Sequence, residues 1–362
     1  VMIIFYTGII LVFYCLLSKK KYNPTIAFLF ILLIMGFQSN VVGDYYAYKA
    51  SFKSLDIRTA VDEPLWALLI TLFRRTSFPI FIFCVSLFQY GVLVYCAKVF
   101  ASKTWYDRLT PVLFFSTFLL MLMQMKALRQ GLAVDLCLLS TALIYERKKW
   151  YWAAAPLCAA YFIHNSAMVF FPFAAGYYFW LKYLDKKPQK IHPPKKYLKQ
   201  AIIAVVVFLL ITFYKTLSYE FLQHSFMGLV DNRLVGYLDN IEEFELSWLW
   251  VLYDSIIVFF SVLSMGIMNR RLRPLVLLLY IGAVLEILFT GVGSLFRLSM
   301  FFVVYNIYVL PYTAKFIGQK YGDLGVCAFI ILLIGYAVKS SLPWVLTTEY
   351  DRFGFYNFVF LS

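Results

Sequence analysis

Long unbroken apolar runs constrain this chain more than any other feature. They lie near 2–17, 25–42, 78–97, 109–124, 129–145, 150–163, 166–181, 200–218, 248–268, 274–291, 298–315 and 324–341, separated mostly by short charged loops. Coiled as helices, runs of roughly 17–25 residues match the hydrocarbon thickness of a bilayer. Inside lipid every backbone N–H and C=O must be paired, which leaves helices or a closed barrel. Barrel strands alternate apolar and polar side chains, and these runs do not. The composition, 62% apolar and 14% charged, fits no soluble domain of this length. The sequence therefore predicts an all-α polytopic membrane protein of about twelve spans, a single transmembrane domain over 1–362.

The net charge of +14 would suit nucleic acid if it were clustered on one face, but the lysines and arginines sit in the loops between spans. If the loop after the first run is cytoplasmic, the inner loops hold 21 of the 33 basic residues and only four of the 19 acids (Asp107, Glu146, Asp185, Asp323). This bias sets orientation and predicts both termini outside. The run Met2–Leu17, followed by Lys19, Lys20 and Lys21, reads as a first span rather than a cleaved leader. Two outer loops are long, 43–77 and 219–247, with amphipathic stretches that read as interfacial or re-entrant helices; the inner loop 182–199 is rich in Lys. The six cysteines fall inside apolar runs without metal-ligand spacing and read as small buried residues.

Three acids lie within the spans: Asp135, Asp254 and Glu286. An ionisable group inside a span is costly and is a functional candidate. All three fall in the outer leaflet by position along their spans, near the level of Arg129, His164, Arg297, Asp44 and Glu63. This convergence predicts an aqueous site open to the outside. Lys126, Arg129 and Gln130 open a span together; the cations either snorkel to lipid phosphates or grip a diphosphate, for which arginine supplies paired hydrogen bonds. Arg297 is an interfacial anchor or a second phosphate clamp. Tyr305, further along that span, is a packing or substrate residue. His164 stands where two runs meet and is either a capping histidine or a general base. Asp44 with Tyr45, Tyr46 and Tyr48 suits a sugar, or is an aromatic belt at the interface. Asp62-Glu63-Pro64 has the form of a helix start. The acidic run 242–245 reads as a solvated face, and no protein-held metal is expected.

These residues, in order, resemble the EpsG-like branch of the Wzy-type polysaccharide polymerases. The features are Gly43-Asp44 with Tyr48 after the second span, Glu63 before an amphipathic helix, and Arg129-Gln130-Gly131-Leu132-Ala133 opening a span. Phe162, His164, Ser166 and Ala167 follow, then Arg297 with Tyr305 beyond it. The resemblance covers roughly residues 1–315. It implies a glycosyltransferase of the bacterial cytoplasmic membrane that joins oligosaccharide units carried on undecaprenyl diphosphate into a surface polysaccharide such as capsule or O-antigen. The growing chain would leave its lipid diphosphate for a sugar hydroxyl of the acceptor unit. On this reading His164, then Asp44, are the expected catalytic residues. Arg129, Arg297 and Lys126 bind diphosphate, and Glu63, Gln130, Tyr48, Tyr305, Asp135 and Glu286 line the substrate. No cofactor, metal or nucleic acid is expected; membrane lipid and a chain-length regulator are expected partners. A lipid-linked oligosaccharide flippase and a polysaccharide ligase are the alternatives.

Overall fold

The computed structural model describes residues 10–11, 14–15, 23–39, 45–54, 61–116, 127–184, 195–227, 248–289, 297–346 and 357–358. The chain divides into two compact units: Val1–Lys186 with Ala337–Ser362, and Lys187–Tyr336. Both are helical, as expected. Most of the first expected span lies outside the described residues.

In the first unit, α1 (Pro24–Gly36) starts where the Asn23 side chain accepts from the Thr25 N–H at 2.9 Å, with proline at the first helical position. The helix ends at Gly36, short of the expected boundary near residue 42, and Gln38–Ser39 instead pairs antiparallel with Asn357–Phe358. Among the described residues the first outer loop holds the helices α2 (Tyr45–Lys53) and α3 (Pro64–Phe73). On α3, Trp66, Ala67 and Ile70 are buried while Leu68 and Leu72 are exposed, the amphipathic division expected of an interfacial or re-entrant segment.

Next come α4 (Phe78–Val99), α5 (Leu109–Ser116), α6 (Leu128–Tyr145) and α7 (Trp150–Ile163). The core sits on α6, which buries 14 of its 18 residues. It packs against both α4 and α7. Ser140 Oγ donates to the Ala153 carbonyl at 2.7 Å, tying α6 to α7 through a buried hydroxyl. Beyond α7 the expected span 166–181 is not one α-helix. It is a 3-10 turn (Asn165–Phe170), then α8 (Phe171–Phe179), then a π turn (Trp180–Leu184). Pro172 has no N–H for the carbonyl four residues earlier, so the α pattern cannot extend back through it.

The second unit is built on α9 (Lys195–Met227), α10 (Trp248–Ser264) and α11 (Arg273–Phe289), which pack on one another. The helix α9 runs on into the stretch expected as the second outer loop, whose remainder, 228–247, lies outside the described residues. A short turn Arg297–Ser299 leads to α12 (Met300–Val303), which lies close against α11. Gly282 makes that approach possible: a Cβ there would meet the Val303 backbone nitrogen at 3.0 Å. The expected span 298–315 begins in the Arg297–Ser299 turn and α12 and continues into α13 (Asn306–Leu346), which also takes in the expected span 324–341 and is broken only at Gly322, where φ is 68° and ψ −165°. The expected inner loop carrying Lys315, Lys320 and Asp323 is therefore helix with one kink. A residue with a Cβ is strained in that conformation, and glycine is not.

Among the described residues five helical segments are long and apolar enough to cross a membrane: Phe78–Val99, Leu128–Tyr145, Lys196–Lys215, Arg270–Phe289 and Asn306–Gly335. Pro24–Gly36, Pro64–Phe73 and Val251–Ser264 are apolar but shorter. The chain is thus a helical membrane protein whose described spanning segments are fewer than the twelve expected.

Candidate functional site

Three residues far apart in sequence meet in the first unit. Glu63 occupies the N-cap position of α3, and its carbonyl accepts from the Ala67 N–H at 3.1 Å. Its side chain does not cap the helix. It turns instead toward α6 and α7, where Oε2 accepts from Arg129 Nη1 and Oε1 pairs with His164 Nδ1 at 2.7 Å.

Each partner is held by its own local structure. Arg129 lies in the first turn of α6, after Ala127 at the N-cap. Alanine has no side-chain oxygen to cap the first-turn N–H groups, so no N-cap side chain offsets the positive end of this helix dipole. The guanidinium carbon lies 5.5 Å from the centre of the Tyr48 ring, a cation–π contact. Tyr48 is itself set edge-on against Trp66, with centroids 5.6 Å apart, and Trp66 against Phe81 at 5.4 Å. A buried edge-to-face aromatic cluster from α2, α3 and α4 therefore supports the arginine. His164 ends α7 and begins the next 3-10 turn, in extended backbone (φ −156°, ψ 112°). Its N–H donates to the Ala160 carbonyl and its own carbonyl accepts from Ala167. The break between helices fixes the backbone and leaves the ring free to reach Glu63.

The electrostatics follow from burial. The Glu63 side chain is only 9% exposed, against 33% for Arg129 and 28% for His164. Burial pushes the Glu63 carboxyl upward, but the His164 hydrogen bond and the Arg129 charge outweigh it and hold the group below its ordinary value of 4.5. Glu63 is therefore a carboxylate at neutral pH and accepts only, so Nδ1 of His164 carries the proton in that bond. Arg129 Nε is buried and has no hydrogen-bond partner among the described residues. The arrangement leaves a partly exposed cation beside a partly exposed imidazole, both fixed by one carboxylate.

The other expected residues divide by location. Asp44 and Lys126 lie outside the described residues. Gln130 and Asp135 are buried on α6. Tyr48 is 4% exposed, covered by Arg129 and Trp66, so it supports the guanidinium rather than offering an open ring face to a sugar. Glu63, expected to touch substrate, has both oxygens engaged by protein donors. Arg297, Tyr305, Asp254 and Glu286 belong to the second unit. There Tyr305 is fully buried, Arg297 is exposed, and Glu286 lies within the electrostatic reach of Asp254. Sequence reasoning missed Lys215, a buried cation whose Nζ donates to the Ile287 carbonyl at 2.5 Å. Its signal was a lysine inside the apolar run 200–218.

Fold and site together define a helical membrane protein with a carboxylate-linked arginine and histidine in its first unit. The chain belongs to the EpsG family, whose model matches residues 21–344, nearly the whole length. That is a Wzy-type polymerase-like family, which associates the chain with polysaccharide biosynthesis. No curated protein and no solved structure matches the chain significantly.

Proposed function

We propose that this protein polymerises oligosaccharide units carried on undecaprenyl diphosphate, at the outer face of the bacterial cytoplasmic membrane. The observation that carries the proposal is the joining of Arg129 and His164 through Glu63, because the reaction needs those two chemistries side by side. The bond from the anomeric carbon to the lipid diphosphate breaks, and a bond to the acceptor hydroxyl oxygen forms. Arg129 and the uncapped start of α6 stabilise the charge developing on the departing diphosphate. His164 Nε2 takes the proton from the acceptor hydroxyl. Binding both substrates in one site supplies the orientation. Arg297 is proposed, on its sequence position alone, as a further phosphate ligand. The charge bias of the loops supports the outer face, with both termini outside.

The test is reconstitution of the full chain in liposomes with a defined oligosaccharide on undecaprenyl diphosphate, reading product length by mass. The wild type is expected to make repeats. R129A is expected to lower the rate about 10²–10³-fold, as for loss of one charge-stabilising donor. H164A is expected to lower it about 10²–10⁴-fold. Polymer of normal amount from R129A would remove the clamp assignment. A single transfer without repeats would make the protein a ligase, and relocation of unaltered units would make it a flippase.

A further inference from the structure

We propose that Glu63 is the positioning residue of this site: with one oxygen on His164 Nδ1 and the other on Arg129 Nη1, it fixes which imidazole nitrogen is bare and where the cation stands. The proposal rests on reading this site as the place of transfer.

The geometry is specific. Glu63 is not needed where it sits for helix capping, since its side chain makes no bond to the start of α3. It is buried, and each of its two oxygens meets a different donor. A carboxylate in this state accepts only, which places the ring proton on Nδ1 and leaves the Nε2 lone pair for an incoming hydroxyl. Among the described residues Glu63 is the one hydrogen-bond partner of the imidazole. Among the described residues the charged and titratable groups linked to the ring are Glu63 from the start of α3, Arg129 from α6 through Glu63, and Tyr48 from α2 through Arg129. One carboxylate also sets the spacing between base and clamp, because neither can shift without lengthening its bond to Glu63.

A glutamine at 63 is the discriminating substitution. Its single amide oxygen cannot serve both donors as the carboxylate does, and its amide N–H groups favour a ring nitrogen without a proton. The chain has three histidines, so the full-length protein in lipid, labelled with 15N at histidine, gives few ring signals, and H164Q assigns those of His164. In the neutral imidazole of the wild type, Nδ1 is expected to carry the proton and Nε2 to be bare. In E63Q the signals are expected to become a mixture of tautomers. In the polymerisation assay E63Q is expected to lose about 10²-fold in kcat, with a smaller change in KM for the lipid-linked donor. E63D, which keeps the charge, is expected to recover at least about tenfold of the lost kcat.

A wild-type imidazole protonated on Nε2 with Nδ1 bare overturns the proposal, as does an E63Q protein with wild-type kcat. If E63Q does not fold, the wild-type spectrum and E63D still decide. A wild type that makes no polymer from lipid-diphosphate units removes the proposed function, whereas the tautomer measurement stands without it.

Discussion

At the scale of single residues, Glu63 is the point on which the site turns. Its folded value lies below the ordinary carboxylate value of 4.5. A depressed carboxylate contributes stability that is fully present above its unfolded value and is lost as pH falls through the folded one. The difference in melting temperature between wild type and E63Q is therefore expected to be constant above about pH 5 and to shrink progressively below about pH 4. Thermal unfolding across that range measures it. A difference unchanged down to pH 3 would mean that the pair with Arg129 and His164 adds nothing to the fold. The three residues were legible singly. Glu63 stood before a Pro-initiated helix, Arg129 opened an apolar run, and His164 fell between two runs. Their meeting was not legible, because it joins positions 66 and 101 residues apart, and hydropathy reports which face is buried without saying against what. Tyr48 shows the same boundary. An aromatic residue at an interface reads alike whether its ring face is open or lies under a guanidinium.

At the scale of elements, boundaries depended on backbone chemistry more than on charge. Lys315, Lys320 and Asp323 suggested a loop, yet a helix carries such side chains on an exposed face without ending. The break falls instead at Gly322, the described glycine with positive φ. G322A is expected to destabilise by about 1 kcal/mol through a strained φ, seen as a lower melting temperature. The contact of α11 with α12 is tighter. Gly282 faces the Phe302 and Val303 backbone, which cannot swing aside as a side chain can. G282L is expected to cost about 1–3 kcal/mol by overpacking, with a melting temperature lowered by a few degrees. An unchanged melting point would show that the two helices part freely. The helix α3 was legible from its Asp62-Glu63-Pro64 start and the stretch 65–70 that follows, and the structure divides its apolar residues between a buried and an exposed face. The 3-10 start of the segment after His164 was not, since Pro172 lies within a continuous apolar run.

For the molecule as a whole, length and apolar composition made a helical membrane protein legible, and the order of a few motifs made the EpsG family legible. Orientation is the prediction that belongs here. Cysteines placed at exposed Asp62 and Lys148 in intact cells are expected to react oppositely with a membrane-impermeant thiol reagent, position 62 labelled and position 148 protected. The reverse pattern would put the triad on the cytoplasmic side and end the outer-face reading. The placement of the triad within the chain has a consequence for its assembly. A ribosome adds about 5–20 residues per second, so Glu63 is made seconds before either of its partners. During that interval the acid has neither cation nor imidazole, and α3 has reason to wait at the headgroups. Once residue 164 has emerged, every member of the triad exists and the carboxylate can be enclosed. Biogenesis of the site is thus timed by α7, the last of the three segments to arrive.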